Sequence, residues 1–155
     1  MKQSHEPFHI LIAEDDEDHA ELLLYKLKSI ETKTNPHFVH DGAEILQYLK
    51  NRNNPLPKLV ILDLNMPKLS GLEVLEKIKS SESLFHIPVI ILTTSDAKQD
   101  RIKAFKLSAN SFLTKPMDFE DLSTMLTDLI RYWSLWHQSL SQSEYLELQE
   151  KENNK

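Results

Sequence analysis

The chain contains no cysteine, and it has no apolar run near the roughly 20 residues that a membrane-spanning helix needs. Without cysteine it can form neither a disulfide framework nor a thiolate metal site or nucleophile. Its first residues, MKQSHEPFH, lack the apolar region of a signal peptide. These absences predict a cytoplasmic protein with no membrane partner.

Positive charge is also in short supply. The chain has 18 Lys and Arg residues against 24 Asp and Glu residues, which gives a formal net charge of −6. Proteins that bind nucleic acid need a basic surface to meet the phosphates, so nucleic acid is not an expected partner. The length of 155 residues suits one domain with a proper core, and 40% hydrophobic residues are ordinary for a globular protein.

Short apolar runs alternate along the chain with segments of helical periodicity. LVILDL (59–64) and IPVIIL (87–92) are almost wholly apolar, which is typical of strands buried on both faces of a parallel sheet. The alternation predicts a doubly wound α/β fold with helices on both faces of the sheet. Strands are predicted at 8–13, 37–40, 59–64, 87–92 and 111–113, and helices at 17–30, around 45–49, at 70–79, at 97–107 and from 118.

Polar side chains lie at the ends of four of these predicted strands. Glu14 and Asp15 follow the first strand, Asp63 lies near the end of the third, Thr93 follows the fourth, and Lys115 follows the fifth. Ligands of such sheets bind beyond the carboxyl ends of the strands. If these four strands are neighbours, the carboxylates, the hydroxyl and the ammonium converge on one patch.

Carboxylates that share a patch need a cation. Hard oxygen ligands without His or Cys suit Mg²⁺, Mn²⁺ or Ca²⁺, and Mg²⁺ typically keeps waters that a phosphate can replace. A lysine supplies positive charge to the same phosphate, and an aspartate beside a divalent ion can accept a phosphoryl group. The sequence therefore predicts a metal-assisted phosphoryl site at this edge of the sheet.

Four motifs, in this order and spacing, resemble the receiver domains of two-component response regulators. They are AEDD (13–16), LDLNMPKLSG (62–71), TT (93–94) and FLTKP (112–116). The resemblance implies a flavodoxin-like (βα)5 fold with parallel strand order 2-1-3-4-5. The receiver domain is placed at 8–138 and is followed by a polar extension, 139–155, which is expected to be flexible and to contain no output domain.

The resemblance also implies a role for each motif residue. Asp63 is the phosphoacceptor, Lys115 contacts the phosphoryl group, and Thr93 and Phe112 form the switch pair. Such a domain carries out only its own phosphorylation and dephosphorylation and is not otherwise an enzyme. The metal is Mg²⁺, for which Mn²⁺ or Ca²⁺ can substitute, and its implied ligands are Glu14, Asp15, Asp63 and the backbone carbonyl of Asn65.

Some positions depart from the family pattern. Glu14 stands where Asp is commoner, which leaves open whether it reaches the metal directly or through water. Phe112 replaces a tyrosine, so it has no hydroxyl to donate. Ser70 and Ser108 replace a common Asp and a common Gly. By contrast, the resemblance implies that the Lys115–Pro116 peptide bond is cis, as it usually is in the family.

The partner is implied by a finer resemblance, to the stand-alone regulators that are paired with bacterial phytochromes. It rests on PLPKLVILDLNMPKLSG (55–71), on TTS (93–95) and on the aromatic C-terminal end. The phosphodonor would be a sensor histidine kinase, of phytochrome type or another. A homodimer is expected.

The last predicted helix carries an apolar seam of coiled-coil type. If the helix runs from 119 to 140 it is about 33 Å long, whereas sheet strands span only about 17–20 Å. Trp133 and Trp136 are therefore expected to overhang the sheet and to form a dimer or partner surface; the alternative is that this end folds back on its own domain. The seam consists of Phe119, Leu122, Leu126, Leu129, Trp133, Trp136 and Leu140.

Two other classes of protein remain as alternatives. A phosphatase of haloacid-dehalogenase type also uses a nucleophilic Asp but carries a second Asp two residues later, where this chain has Asn65. A flavodoxin-like FMN carrier needs a phosphate-binding loop after the first strand, and the acidic run 14–18 would repel that phosphate.

Overall fold

The computed structural model describes residues 7–30 and 33–154. Strands and helices alternate through most of this length, and one further helix follows at the end. The strands are β1 Phe8–Ala13, β2 Thr34–Val39, β3 Leu59–Leu62, β4 Val89–Thr93 and β5 Ser111–Thr114; the helices are α1 Glu17–Leu27, α2 Gly42–Lys50, α3 Gly71–Lys79, α4 Lys98–Lys106, α5 Phe119–Leu135 and α6 Gln142–Asn153.

The five strands form one parallel sheet in the order β2-β1-β3-β4-β5. The predicted doubly wound fold and its strand order are therefore confirmed. The second strand begins at Thr34, earlier than predicted, and includes Pro36. Proline is tolerated there because β2 is an edge strand, where not every backbone N–H has to donate to a neighbouring strand.

Both faces of the sheet are covered by helices. Every residue of β3 and β4 is buried, as their apolar sequences predict. Alternate residues of β1 point to opposite faces of the sheet. Ile10 and Ile12 pack with α1 and α5. Leu11 and Ala13 pack with α2, α3 and α4. We call these two clusters the α1–α5 core and the α2–α4 core.

Side-chain caps explain why most helices begin where they do. Asp16, Asp41, Ser70 and Asp118 each follow a strand or loop and accept a backbone N–H from the first turn of α1, α2, α3 and α5. Helix α4 is the exception, since Ala97 at its N-cap position offers no side-chain acceptor.

The predicted extent of the last helix is wrong. Helix α5 ends at Leu135, and a new helix, α6, begins at Gln142. Helix α6 begins at a capping box: the Ser141 hydroxyl accepts from the Glu144 N–H, while the Glu144 carboxylate accepts from the Ser141 N–H. These reciprocal hydrogen bonds start a second helix instead of prolonging the first.

The C-terminal segment returns to the domain. The seam positions from Phe119 to Trp133 pack against the α1–α5 core. The prediction that Trp133 overhangs the sheet is therefore wrong. Trp136 is 69% exposed. Leu140 and Leu148 pack partly buried against the α2–α4 core, on the other face. Of the two alternatives for this end, folding back accounts for most of its apolar residues.

Two further points concern the limits of the predicted features. No cis peptide bond occurs among the described residues, so the Lys115–Pro116 bond is trans, the isomer that X–Pro bonds prefer, and the implied cis bond is wrong. Residues 1–6, where the absence of a signal peptide was predicted, and residue 155 of the predicted extension lie outside the described ranges. Within those ranges no helix combines the length and apolar character that crossing a bilayer requires.

Candidate functional site

The carboxyl ends of β1, β3, β4 and β5 meet at one edge of the sheet. Glu14 is the first residue after β1, Asp63 the first after β3, and Lys115 the first after β5, while Thr93 closes β4. The strand order makes these four strands consecutive neighbours. The convergence that was predicted from the polar residues at the strand ends is therefore present.

Lys115 joins the two carboxylates of this edge. Its Nζ lies 3.0 Å from Asp63 Oδ2 and 3.5 Å from Glu14 Oε2. All three side chains are largely enclosed, with exposed fractions of 16%, 19% and 6% for Lys115, Asp63 and Glu14. Burial alone would lower the pKa of Lys115, but the charges of Asp63 and Glu14 and their hydrogen bonds outweigh it and raise that pKa above its ordinary value.

The backbone around Asp63 is fixed by two close contacts. The Asp63 Oδ1 atom accepts the N–H of Asn65 at 3.0 Å. Gly71 lies so near that a Cβ atom there would overlap the carbonyl oxygen of Asp63. No residue with a side chain fits at position 71 without moving the main chain, which accounts for the glycine of the LDLNMPKLSG motif.

The two carboxylates that follow β1, those of Glu14 and Asp15, lie in different surroundings. Glu14 uses both oxygens, since Oε1 accepts the Asp16 N–H at 3.1 Å while Oε2 meets Lys115. Asp15 is exposed to solvent. Within the described ranges no three His, Asp or Glu side chains converge as a preformed group of metal ligands.

The donor set nevertheless fits a small hard cation. Mg²⁺ is typically bound by one or two carboxylates together with several waters, so it does not require three converging carboxylates. Asp63 and the neighbouring Asp15 and Glu14 offer oxygen ligands only, and neither a thiolate nor an imidazole is among the predicted ligands. This chemistry favours Mg²⁺, Mn²⁺ or Ca²⁺ over zinc or copper.

The predicted switch residues are both found beside this edge, in different surroundings. Thr93 is fully buried, and its hydroxyl oxygen accepts the Ser95 N–H at 3.2 Å. Phe112 is partly buried and packs against the α2–α4 core. The hydroxyl of Thr93 is thus held by its own loop, the segment between β4 and α4.

Two polar pairs near the site were missed by the sequence reasoning. The Ser95 hydroxyl donates to Asp100 Oδ2 at 2.7 Å and thereby ties the loop after β4 to the first turn of α4. Asp41 forms an ion pair of 3.3 Å with Lys68, in the loop that follows Asp63. The partners of the first pair lie five positions apart at the start of α4, whereas the second pair joins segments far apart in the chain.

The family can be identified from the match of residues 10–127 to the model of the response regulator receiver domain. The chain belongs to this family. The prediction of a receiver-type response regulator is thereby confirmed. Because the matched segment runs from within β1 to the middle of α5, it contains the whole edge formed by Glu14, Asp63, Thr93 and Lys115.

Two curated relatives are matched over most of their own length. The chain is 38% identical over 140 residues to the probable methanogenesis regulatory protein FilR2 of Methanothrix harundinacea, a match that covers 88% of this chain and 90% of that protein. It is 35% identical over 135 residues to the response regulator Rcp1 of Synechocystis, with 84% and 92% of the two chains covered.

Solved receiver structures superimpose closely on this fold. The Mn²⁺-bound form of Rcp1 matches with a TM-score of 0.81 at 33% identity over 87% of this chain and all of that one. The phosphorylated cyanobacterial phytochrome response regulator RcpA matches with a TM-score of 0.82 at 30% identity over 88% of this chain and all of that one. The finer prediction of similarity to phytochrome-associated response regulators is confirmed by these matches.

Proposed function

We propose that Asp63 accepts a phosphoryl group from the phosphohistidine of a sensor histidine kinase. The observation that carries this proposal is the contact of Lys115 with both Asp63 and Glu14 at the carboxyl edge of the sheet. An ammonium held against a largely enclosed carboxylate is placed to meet negative charge that arrives on that carboxylate. The phosphorylated state of the related RcpA is in keeping with the same chemistry.

The transfer replaces one bond to phosphorus by another. The bond between phosphorus and the histidine ring nitrogen breaks, and the nitrogen leaves with the electron pair. A carboxylate oxygen of Asp63 forms the new bond to phosphorus, which gives an acyl phosphate. Lys115 moves its ammonium from the carboxylate toward the phosphoryl oxygens and offsets their charge.

A divalent cation completes the site in this proposal. Asp15, Asp63 and the backbone carbonyl of Asn65 would bind Mg²⁺ directly, with Mn²⁺ or Ca²⁺ as substitutes. Glu14 would act through water, because both of its oxygens already accept hydrogen bonds from Asp16 and Lys115. When bound, the cation neutralises charge on the transferring phosphoryl group. The Mn²⁺-bound form of the related Rcp1 supports this choice of metal class.

Phosphorylation is read out by Thr93 and Phe112. The phosphoryl group brings about −1.5 to −2 charges and new acceptor oxygens next to the buried Thr93 hydroxyl. Thr93 then gives up its hydrogen bond from Ser95 and donates to a phosphoryl oxygen, and Phe112 moves into the space it leaves. The surface of α4, β5 and α5 changes its partner preference as a result.

The proposed partners are a sensor histidine kinase and a second copy of the chain. The description of RcpA as a phytochrome response regulator suggests a kinase of phytochrome type. Tyr132 and Trp136, at the end of α5, remain 53% and 69% exposed and are the proposed dimer contacts. No substrate turnover is proposed, and the expectations of a cytoplasmic location and of no nucleic acid partner stay predictions of the sequence.

The proposal is tested by replacing the acceptor. Asp63→Asn removes the nucleophilic carboxylate with little change in volume and is expected to abolish labelling by a phosphorylated sensor kinase or by a small acyl phosphate. The readout is phosphorylation followed by mass spectrometry, with sensitivity to hydroxylamine as the mark of an acyl phosphate. Asp128→Asn, an exposed carboxylate of α5, is the matched control and should label normally. Undiminished labelling of Asp63→Asn would place the acceptor elsewhere.

A further inference from the structure

The loop segment that follows Asp63 and ends before α3, residues 64–70, is closed by backbone hydrogen bonds at its base and near its tip. The Gly71 N–H donates to the Leu64 carbonyl at 3.1 Å, and the Leu69 N–H donates to the Pro67 carbonyl at 2.8 Å. The same loop carries Asn65, whose carbonyl is a proposed metal ligand. Any shift of the loop therefore displaces a ligand of the site.

Lys68, at the tip of this loop, has an unfavourable backbone conformation. Its φ of 68° lies in the left-handed region, which residues other than glycine, asparagine and aspartate seldom adopt. Such a conformation persists only when the surroundings hold it in place. Lys68 is itself 68% exposed, so packing around its side chain is not what holds it.

The Lys68 ammonium reaches a carboxylate that is already fixed. Its Nζ lies 3.3 Å from Asp41 Oδ2. Asp41 is buried, and its Oδ1 atom accepts the Glu44 N–H at 2.9 Å as the cap of α2. The Glu44 N–H, together with the nearby charge of Lys68, holds the pKa of Asp41 below its ordinary value, so the carboxylate is ionised at neutral pH.

A second contact lies one residue along. A Cβ atom at Gly42 would stand 2.5 Å from the carbonyl oxygen of Leu69, so the start of α2 and the loop touch main chain to main chain. The lack of a side chain at Gly42 thus lets the two segments approach each other, and the ion pair of Asp41 with Lys68 joins them. The loop is held from outside by α2, a helix that contributes no residue to the phosphoryl site.

We propose that Asp41 and Lys68 are positioning residues for phosphoryl transfer, because their ion pair fixes the loop that carries the Asn65 carbonyl. We call this pair the Asp41–Lys68 brace. The inference rests on the proposed function for the role of Asn65. The brace itself is a contact of the free protein and can be tested without metal or phosphate.

The experiment measures hydrogen exchange of the loop amides in the presence of a chelator. Lys68→Met removes the charge and keeps the length of the side chain, while Asp41→Asn removes the charge and keeps an N-cap acceptor. Each is expected to speed exchange in residues 64–70 by about two- to fivefold, the factor given by a partly exposed ion pair. Because the two residues act as one pair, the double variant should exchange no faster than either single variant.

Magnesium affinity provides a second readout. Titration calorimetry with MgCl₂ should show weaker binding in both single variants by about the same two- to fivefold, since the loop must be in place before Asn65 can act as a ligand. Lys68→Arg keeps the charge and the reach and should restore the wild-type values. Lys50→Met removes an exposed lysine from the other end of α2 and is the matched control.

The outcomes separate this inference from the proposed function. Wild-type exchange in Lys68→Met, or an effect of Lys68→Met without one of Asp41→Asn, would overturn the brace. Faster exchange with unchanged magnesium affinity would leave a contact with no positioning role and would also overturn the inference. If the brace variants behave as expected but Asp63→Asn is still labelled, the proposed acceptor fails and the brace stands.

Discussion

At the scale of single residues, Lys115 sets the electrostatics of the site. Lys115 separates two carboxylates, Asp63 and Glu14, that would otherwise repel each other in a poorly hydrated place. Its pKa is raised because those charges outweigh its burial. The side chain is therefore protonated over the whole physiological range, and its positive charge offsets the two carboxylates that it contacts.

Replacing this lysine should destabilise the metal-free protein in a pH-dependent way. Lys115→Met is expected to lower the free energy of unfolding by ~2 kcal/mol, because two largely enclosed carboxylates lose their cationic partner. A lysine whose pKa is higher in the folded state stabilises fully below its unfolded pKa, roughly 10.4, and the effect fades as pH rises through the folded value. Urea denaturation in a chelator should thus give a constant difference between wild type and variant from neutral pH to roughly pH 9, and a smaller one above roughly 10.4. A difference that fades at neutral pH would contradict this.

A lysine far from the phosphoryl site joins three elements. Lys79, in the last turn of α3, donates from its Nζ to the Phe85 and Ile87 carbonyls, both at 2.9 Å, and to Asn110 Oδ1 at 3.1 Å. Asn110 Oδ1 also accepts the Val89 N–H at 2.8 Å, so the end of α3, the start of β4 and the approach to β5 meet at one ammonium. Burial lowers the pKa of Lys79, and none of these three acceptors is a carboxylate.

The contribution of this junction can be measured against a neighbour on the same helix. Lys79→Met removes a donor from three acceptors and should reduce the free energy of unfolding by ~2 kcal/mol. Lys77→Met removes an exposed lysine in the same helical turn and should change it by less than about 0.5 kcal/mol. Chemical denaturation of both variants provides the comparison. Equal stabilities would mean that water replaces the ammonium without loss.

The elements differ in how far the sequence could predict them. The buried strands and the polar residues at their ends follow from apolar runs of strand length, so the positions of Asp63 and Lys115 could be predicted. The end of α5 was misplaced because the apolar seam continues past Leu135, while the start of α6 is marked only by a short polar signal, the pairing of Ser141 with Glu144. The junction at Lys79 joins segments whose proximity only the folded chain provides.

The molecule as a whole uses most of its apolar C-terminal end internally. Helix α5 packs on one face of the sheet, and Leu140 and Leu148 beyond it pack on the other. The segment after α5 therefore passes from one face of the sheet to the other. Two large exposed side chains lie at the end of this helix: Tyr132 in its last turn, and Trp136 at its C-cap position four residues later.

The proposed homodimer is tested through these two side chains. Analytical ultracentrifugation of the wild type at high concentration should show a dimer, with and without phosphorylation. A Tyr132→Ser/Trp136→Ser variant should sediment as a monomer, because an apolar contact of this kind depends on the area it buries. Tyr25→Ser, which removes a ring that is 72% exposed on α1, is the control and should leave the dimer intact. A monomeric wild type would end the dimer proposal.

The whole chain contains two glycines, and both lie where main chain meets main chain beside the loop that follows Asp63. The two described residues with positive φ, Lys68 and Ser108, are by contrast not glycines. Contacts between main-chain atoms therefore help to set the path of this loop, beside the ion pair of Asp41 with Lys68. Replacing an exposed side chain of this loop, such as that of Asn65, therefore leaves these main-chain contacts in place, whereas a side chain at either glycine position would disrupt them.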